Sequence, residues 1–172
     1  FCVGDGETYN VPVEMAETRY GIRVDEHSLH TDGAGAGEYR GGSGAVRVYR
    51  SMNENQTFTA SFGRNKWPVW GAAGGKDGSV NYFQFIDADG TVSEPMGIAA
   101  RRVMNTNDVV RMVTATGGGY GNPFKRPAEK VAMDVKNEYI TVEQAKADYG
   151  VLVDPETFKV LGLTEERQKA EK

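Results

Sequence analysis

The sequence DGAGAGEYRGGSG at residues 32–44 is the most distinctive segment of the chain, since six of its thirteen residues are glycine. Two further segments have the same character: residues 70–79, WGAAGGKDGS, and residues 116–123, TGGGYGNP. Glycine loses more backbone entropy on folding than any other residue. Such runs therefore predict places where the backbone adopts a positive φ, or where it closely approaches another backbone or a ligand.

Three interpretations of these glycine segments are open. Successive backbone N–H groups can form a concavity that binds an anion, the segments can pack against a partner subunit, or they can turn the corners of a β-barrel or sandwich. No Gly-x-Gly-x-x-Gly pattern opens a predicted helix, and no Gly-Lys-Ser/Thr occurs. Nucleotide binding by this chain alone is therefore not expected.

The residues between the glycine segments are patterned as strands. Residues 46–49, 57–62 and 80–86 alternate in side-chain character with the period of two that is typical of half-buried strands. The sequence DADG at residues 87–90 predicts a tight turn, because Asp-Gly tolerates the positive φ angles that such turns require. Residues 91–93 would then return as the second arm of a hairpin.

A second strand pair is predicted further along the chain. Residues 98–103 and 109–114 are both strand-like, and the sequence NTND at residues 105–108 lies between them. Asparagine and aspartate favour turns because their side chains bond the nearby backbone. We therefore expect these two strands to pair with each other through that turn.

The pattern becomes helical after Pro123. Pro127 suits the first turn of a helix, and apolar residues and lysines follow it. Thr141 and Gln144 have the spacing of a capping box, in which each side chain bonds the backbone N–H of the other residue. The helix that they open is expected to stop at Gly150 in a left-handed conformation.

Together these patterns predict a mainly β protein with a small α appendage, which is an α+β fold. Residues 1–122 are expected to form a β-barrel or sandwich body with glycine-rich loops, and residues 123–172 a helical C-terminal appendage. The charged residues 164–172 are expected to be a frayed helix or disordered. A chain of 172 residues is long enough to enclose a substantial core.

Composition and charge argue against several classes of function. The formal net charge is −4 and the pI is near 5.3, whereas nucleic-acid-binding proteins carry a basic surface. No apolar run reaches the roughly 20 residues that span a bilayer. The single cysteine, Cys2, cannot form an internal disulfide or a cysteine-rich zinc site. We therefore expect a cytoplasmic protein that binds neither nucleic acid nor membrane.

The candidate contact residues lie in or beside the glycine segments. We expect substrate or interface contacts from Asp32, Arg40, Arg64, Gly117, Gly118, Gly119 and Tyr120. The planar guanidinium of Arg40 can clamp a carboxylate or phosphate, or it can form an ion pair with an acidic residue of the chain. Asp32 can equally begin a turn. The residue types in these segments do not identify a catalytic group.

No metal site is predicted. His27 and His30 are three residues apart, which on a strand places them on opposite faces. No third ligand is obvious beside them, although Asp32 follows two residues later. Trp67 and Trp70 are interpreted as core or interface side chains rather than as a stacking platform.

Five motifs, in order along the chain, resemble the C-terminal portion of the hydantoinase B / 5-oxoprolinase family. They are residues 10–19 (N-x-P-x-E…E-x-R), 32–44, 64–76, 116–123 and 134–151. The resemblance extends from about residue 10 to about residue 156. It departs from the family pattern at Gly33-Ala34, Thr116, Asn122 and Glu138, which leaves the branch within the family open.

The resemblance implies a function. In that family ATP and Mg are held by a partner A-type subunit, which phosphorylates the carbonyl oxygen of the substrate, after which the B-type subunit completes the hydrolysis of a cyclic amide. This chain would then bind no cofactor itself. The related acetone and acetophenone carboxylases leave an ATP-dependent ketone carboxylase as the alternative. A non-catalytic structural subunit of either enzyme is a further possibility.

The resemblance also implies a hetero-oligomer. The acidic and histidine residues that the family uses for hydrolysis belong mainly to its N-terminal half, which this sequence does not match, and the first residue is Phe1. We therefore expect a split or cleaved B-type subunit, or a fragment of one, that is inactive alone. Its partners would be the remaining N-terminal part of the B-type subunit and the ATP-binding A-type subunit.

Overall fold

A computed structural model describes residues 11–170, and antiparallel strands dominate this part of the chain. The strands are β1 (Ile22–His30), β2 (Gly44–Ser51), β3 (Gln56–Ser61), β4 (Tyr82–Ile86), β5 (Ile98–Met104), β6 (Val109–Val113), β7 (Val151–Val153) and β8 (Val160–Leu163). The α-helices are α1 (Val13–Tyr20), α2 (Ala128–Lys136), α3 (Val142–Tyr149) and α4 (Glu165–Ala170), and Pro123–Lys125 forms a 3-10 helix. The predicted mainly β, α+β fold is confirmed.

The body is a four-stranded antiparallel sheet with a two-stranded ribbon packed on one face. The strand order in the sheet is β1-β2-β6-β4, and β3 pairs with β5 in the ribbon. Phe58 of the ribbon packs edge-to-face on Phe83 and Phe85 of the sheet, with ring centroids 5.5 and 5.4 Å apart. Buried valines of β2 and β6 fill the opposite face. The strands within residues 11–170 form these layers rather than a closed barrel.

The predicted pairing of the strands at 98–103 and 109–114 is wrong, although both strands exist. The turn between them forms, since the Asp108 amide donates to the Asn105 carbonyl at 3.0 Å. However, β6 lies between β2 and β4, while β5 pairs with β3. Because Val109 and Val110 are both buried and face opposite sides of the sheet, β6 fits a central strand with a neighbour on each edge. The turn therefore carries the chain from one layer to the other.

The predicted turn at residues 87–90 is confirmed. The Asp87 amide donates to the Thr91 carbonyl at 2.9 Å, and Gly90 has a φ of 88°. The returning arm makes isolated bridges to β4, between Ile86 and Val92 and, further along, between Phe83 and Met96, rather than a continuous strand. The second side of the hairpin is therefore irregular rather than a regular strand.

The part that follows the body, residues 123–170, is named here the C-terminal unit. Its capping box is present: the Thr141 hydroxyl accepts from the Gln144 amide at 3.1 Å, and the Gln144 side chain accepts from the Thr141 amide at 2.8 Å. Gly150 ends α3 with a φ of 63°. The unit also contains the β7–β8 hairpin, which was not predicted from the sequence. The domain boundary at 122/123 stays a prediction.

The end of the described chain is held by one buried side chain. Residues 165–170 form α4, and the guanidinium of Arg167 donates to the carbonyls of Tyr149 and Arg126, each at 2.9 Å. These bonds tie α4 to the helices before it. None of the helices in residues 11–170 is long and apolar enough to cross a membrane.

Candidate functional site

The three glycine segments, residues 32–44, 70–79 and 116–123, come together in one place, named here the glycine cluster. The Gly35 amide of the first segment donates to the Gly117 carbonyl of the third at 2.9 Å. The Gly119 amide of the third donates to the Lys76 carbonyl of the second at 2.9 Å, and the Lys76 amide donates to the Ala36 carbonyl of the first at 2.7 Å. Each segment is thus bonded to the other two through the backbone.

Close backbone contact explains most of the glycines. A Cβ built on Gly118 would overlap the carbonyl oxygen of Trp70, and one on Gly119 would overlap that of Ala36. A Cβ on Gly41 would overlap the carbonyl of Gly117. None of these three glycines has a positive φ. Glycine is therefore required at these positions because another backbone segment lies too close for a Cβ, and not because of the glycine's own conformation.

A positive φ is the reason at the end of the third segment. Gly121 has a φ of 77°, which a residue with a Cβ rarely adopts. This left-handed residue turns the chain into Pro123 and the C-terminal unit. Residues 117–121 therefore follow a backbone path that requires glycine. Close contact with other backbone segments requires it at Gly118 and Gly119, and a positive φ requires it at Gly121.

The amides of the cluster are largely committed to carbonyls. The amides of seven glycines donate to backbone carbonyls of the cluster or its edges: Gly35, Gly41, Gly75, Gly78, Gly117, Gly119 and Gly121. A concavity that binds an anion needs N–H groups that point at the ligand. These seven donors already have protein partners, so the geometry favours a packed scaffold over an anion site built from them.

Thr116 joins all three segments through its side chain. Its hydroxyl donates to the Gly33 carbonyl at 2.7 Å and accepts from the Ser79 amide at 2.9 Å. The Ser79 hydroxyl in turn accepts from the Thr116 amide at 2.9 Å. Thr116 is buried, and each polar group is paired, as burial requires. The departure from the family pattern at this position is therefore a structural feature of this chain.

Two tyrosines project from the outer side of the cluster. Tyr39 and Tyr120 bridge each other through their backbones, with N–O distances of 3.0 and 2.9 Å. Their rings lie 6.2 Å apart in a tilted arrangement, and they are 63% and 57% exposed. A pair of exposed aromatic rings on a rigid backbone suits contact with another molecule.

Arg40 is directed away from that surface and into the C-terminal unit. Its Nε lies 3.5 Å from Asp134 Oδ2, and its guanidinium stacks 4.6 Å from the centre of the Tyr139 ring. It also donates to the Gly41 carbonyl at 2.9 Å. The structure shows the internal ion pair, and a contact of Arg40 with a substrate or partner stays a prediction.

Asp134 holds a second arginine beside the first. Arg126 donates to Asp134 Oδ2 at 3.0 Å through Nε and to the Glu38 carbonyl at 3.0 Å through Nη1. Asp134 is buried on α2, three residues after the buried Val131. This three-residue spacing places a carboxylate on the apolar face of the helix, which is the sequence signal that would have identified the cluster. Our sequence reasoning missed Arg126.

Two further contacts bind the C-terminal unit to the glycine cluster. Lys76 of the second segment forms an ion pair with Asp148 on α3, and Ala36 of the first belongs to the same hydrophobic core as Val131 and Tyr149. Burial raises the pKa of the Tyr149 hydroxyl, so that group stays neutral at ordinary pH. The C-terminal unit therefore packs against the first and second glycine segments and helps to hold them in place.

Arg64, Trp67 and Trp70 form an exposed group at the start of the second glycine segment. The guanidinium of Arg64 lies 4.8 Å above the Trp70 ring, and Arg64 itself has a positive φ of 52°. Trp67 is 77% exposed, so it is not a core residue. Of the two interpretations for Trp67, an interface side chain fits this exposure.

The remaining candidates lie at the margin of the cluster. Asp32 is exposed beside Gly33, whose carbonyl accepts from Thr116. His30 approaches the Thr114 carbonyl at 2.9 Å through Nδ1. No three His, Cys, Asp or Glu side chains in residues 11–170 are placed to hold a metal ion. Cys2 lies outside the described residues. The roles assigned to all seven candidate contact residues stay predictions.

The same fold occurs within two solved structures of longer chains. The chain superimposes on acetone carboxylase with a TM-score of 0.71 over 93% of its length and 25% of that chain. At 17% identity this likeness concerns the fold alone. It superimposes equally well, with a TM-score of 0.71, on ATP-dependent caprolactamase from Pseudomonas jessenii, at 29% identity and with 92% of this chain and 27% of that one covered.

The sequence comparison identifies the family. The model of the hydantoinase B/oxoprolinase family matches residues 1–123, and the chain belongs to this family. It is 32% identical over 148 residues to the putative B-type subunit of a D-/L-hydantoinase from a Pseudomonas sp., which covers 85% of this chain and 25% of that protein. The chain thus spans about a quarter of the length of this protein and of two other curated relatives that it matches. The predicted family resemblance is confirmed.

Proposed function

We propose that this chain is the scaffold portion of a B-type subunit in an ATP-dependent hydrolase of cyclic amides, and that it is inactive alone. The observation that carries the proposal is the family match over residues 1–123. Among the relatives, one is named as the B-type subunit of a hydantoinase and another as the beta subunit of a caprolactamase. Each name denotes one subunit of an enzyme that acts on a cyclic amide.

The glycine cluster supports a scaffold role for these residues. Its backbone segments hold one another in place, and the C-terminal unit supports them through Arg126 and Asp134. Residues whose geometry is fixed in this way can present side chains to a substrate or a partner with little loss of entropy on binding. Tyr39, Tyr120 and the Arg64–Trp70 pair are the exposed groups in position to do so.

We place the binding of ATP and Mg on a partner A-type subunit. The sequence has no phosphate-binding loop with its lysine. Phosphorylation of the amide oxygen would activate the carbonyl carbon for the addition of water. Cleavage of the ring C–N bond, with a proton passing to the nitrogen, would then give an acyl phosphate, from which a second water would release phosphate and leave the carboxylate. In that scheme this chain contributes contacts and rigidity within a hetero-oligomer, whose other members are the A-type subunit and the remaining part of the B-type polypeptide. A cytoplasmic location stays a prediction.

An ATP-dependent ketone carboxylase is the second candidate, because acetone carboxylase has the same fold and the departures from the family motifs leave the branch within the family open. The purified complex should be assayed in parallel with a hydantoin or lactam plus ATP, and with a ketone plus ATP and bicarbonate. We expect turnover of the cyclic amide alone. Turnover of the ketone alone would replace the proposal by the carboxylase, and turnover of neither would refute both.

The contribution of this chain can be separated from that of its partners. In the intact complex, Arg64→Ala and Tyr120→Ala remove exposed side chains and leave the packed backbone in place. If these side chains contact the substrate, the KM for the cyclic amide should rise or kcat should fall with assembly unchanged. Leu161→Ala, an exposed change on β8, is the control. Unchanged turnover in both variants would favour a purely structural role for the chain.

A further inference from the structure

The backbone of Arg64 is fixed in an unusual conformation. Its φ of 52° is one that residues with a Cβ rarely adopt, and such a conformation persists only where the surrounding structure holds it. The Asn81 amide donates to the Arg64 carbonyl at 3.2 Å, and the Asn81 side chain donates to the Gly63 carbonyl at 2.7 Å. The same side chain accepts from the Ala115 amide at 2.7 Å. Asn81 therefore ties the Arg64 backbone to the residue that precedes the third glycine segment.

The aromatic ring beneath the Arg64 guanidinium is attached to the glycine cluster. The Trp70 carbonyl lies so close to Gly118 that a Cβ there would overlap it. The next amide, that of Gly71, donates to Asp77 Oδ1 at 2.8 Å. The ring itself is 66% exposed, and the guanidinium lies 4.8 Å from its centre. Both the arginine and the ring on which it stacks therefore extend from a fixed backbone.

This stacking leaves the N–H groups of Arg64 available. The donors of a guanidinium lie in its plane, so a ring on one face covers none of them. Within residues 11–170 the Arg64 guanidinium has no ion pair and donates no hydrogen bond. Five other arginines instead form ion pairs with carboxylates of the chain: Arg23, Arg40, Arg50, Arg102 and Arg126. An oriented guanidinium with open donors matches the two oxygens of a carboxylate.

Two sources outside this chain supply a carboxylate. Hydrolysis of a cyclic amide leaves a carboxylate at the former carbonyl carbon, so the proposed reaction itself produces a ligand of this kind. The other source is an aspartate or glutamate side chain of a partner subunit. Lys66, which is exposed two residues after Arg64, adds a second positive charge to the same loop and favours an anion from either source.

We propose that Arg64, oriented by the Trp70 ring, is a carboxylate-binding residue whose ligand lies outside this chain. Where the ligand is the product carboxylate, the inference rests on the proposed function. Where it is an acidic side chain, Arg64 joins this chain to a partner subunit. The two sources share one chemistry, and separate experiments on the purified complex distinguish them.

Calorimetric titration tests the first source. The probe is N-carbamoylglycine, the hydrolysis product of hydantoin, added to the complex without nucleotide. Arg64→Ala should raise its Kd about tenfold, because hydrogen bonds between charged groups are lost. Trp70→Leu keeps the guanidinium but removes the ring that orients it, and should raise the Kd about threefold. Arg101→Ala is the matched control, since Arg101 is also exposed with a φ of 52°, and should leave the Kd unchanged.

Carbodiimide crosslinking tests the second source. The reagent joins an amine to a carboxylate in direct contact with it, so Arg64→Lys makes position 64 reactive while keeping its charge. If a partner subunit supplies the ligand, mass spectrometry should find position 64 joined to an aspartate or glutamate of another chain. Arg101→Lys, in the same complex, should give no such crosslink.

Either result at position 64 alone supports the proposal. The proposal is overturned if the Kd of N-carbamoylglycine is the same in Arg64→Ala as in the wild type and position 64 forms no crosslink to another chain. Equal effects at positions 64 and 101 would overturn it too, as would a crosslink from position 64 only to a carboxylate of this chain. Binding of inorganic phosphate through Arg64 without binding of N-carbamoylglycine would overturn the choice of a carboxylate.

These outcomes are separable from that of the proposed function, because neither experiment depends on turnover. A complex that shows either effect at Arg64 but hydrolyses no cyclic amide would refute the proposed function alone. A complex that hydrolyses cyclic amides and shows neither effect would refute the carboxylate site alone.

Discussion

The glycine cluster and the C-terminal unit are held together by opposite means. In the cluster, backbone packs on backbone, as where Gly118 lies against the Trp70 carbonyl. In the C-terminal unit, side chains pack on side chains, as where Val131, Tyr149 and Val151 are almost completely buried. The first region depends on the absence of side-chain atoms and the second on their presence. Added atoms should therefore break the cluster, and deleted atoms should break the C-terminal unit.

The largest effect is expected from an added side chain in the cluster. Gly118→Val would place atoms where the Trp70 carbonyl lies, and a backbone that is itself packed cannot move away. We expect a loss of at least about 4 kcal/mol of unfolding free energy, with loss of assembly. Thermal unfolding of the complex and its composition by native mass spectrometry would measure both.

A glycine with open space around it provides the control for this prediction. A Cβ on Gly42 would meet nothing within 4 Å, so Gly42→Ala should leave stability and assembly unchanged. If Gly118→Val left assembly and turnover near those of the wild type, the third glycine segment would be ordinary surface. Equal damage from both substitutions would refute the distinction between packed and open glycines.

The sequence predicted the glycine segments as places of close approach, but not which backbone each would approach. Glycine marks the need for space around its own Cα, whereas the neighbour that needs the space is set by the path of the whole chain. The pairing of β5 failed for a related reason. The turn at residues 105–108 was recognised from its residue types, while its direction depended on the burial of β6 on both faces. Local signals such as the Thr141 capping box involve only near neighbours, and they were predicted correctly.

The next largest effect is expected from a substitution in the ion pairs that join the glycine cluster to the C-terminal unit. Asp134→Asn removes the charge that Arg40 and Arg126 share, whose side chains are only 14% and 13% exposed. Removing one partner of a buried ion pair leaves charge uncompensated, and we expect a loss of about 3 kcal/mol. Chemical denaturation of the complex would measure it. Removal of the exposed pair between Glu165 and Lys169 by Glu165→Ala should have no measurable effect.

A smaller loss of unfolding free energy is expected when side-chain atoms are deleted in the C-terminal unit. Val131→Ala creates a cavity at a fully buried site on α2, and we expect a loss of about 2 kcal/mol. Met133→Ala on the same helix removes a side chain that is 55% exposed, and it should cost far less. Denaturation midpoints of the two variants would compare them directly. Equal losses would contradict the side-chain core described for this unit.

A smaller effect is expected where a side chain does support the glycine cluster. Thr116→Val keeps the shape of the residue but removes the hydroxyl that bonds Gly33 and Ser79. Leaving those buried groups unpaired should cost about 1–2 kcal/mol. Thr116→Ser keeps the hydroxyl and should retain most of the stability. If Val and Ser were equally destabilising, the methyl group rather than the hydroxyl would be the important part of Thr116.

The smallest effect on stability is expected from Tyr120→Phe. Tyr120 is held by its backbone, through bonds to Tyr39, while its ring is exposed. Loss of the hydroxyl should therefore change the unfolding free energy by less than about 1 kcal/mol and leave assembly intact. Tyr39→Phe makes the same chemical change on the neighbouring ring and serves as the matched control.

Steady-state kinetics of the two complexes would then separate the possible roles of the Tyr120 side chain. A fall in kcat with Tyr120→Phe alone would assign the hydroxyl to the substrate, whereas wild-type kinetics in both variants would leave the rings as packing surface for a partner. Loss of assembly with Tyr120→Phe would contradict the view that this region is held by backbone contacts, because a single exposed hydroxyl would then be holding the cluster in place.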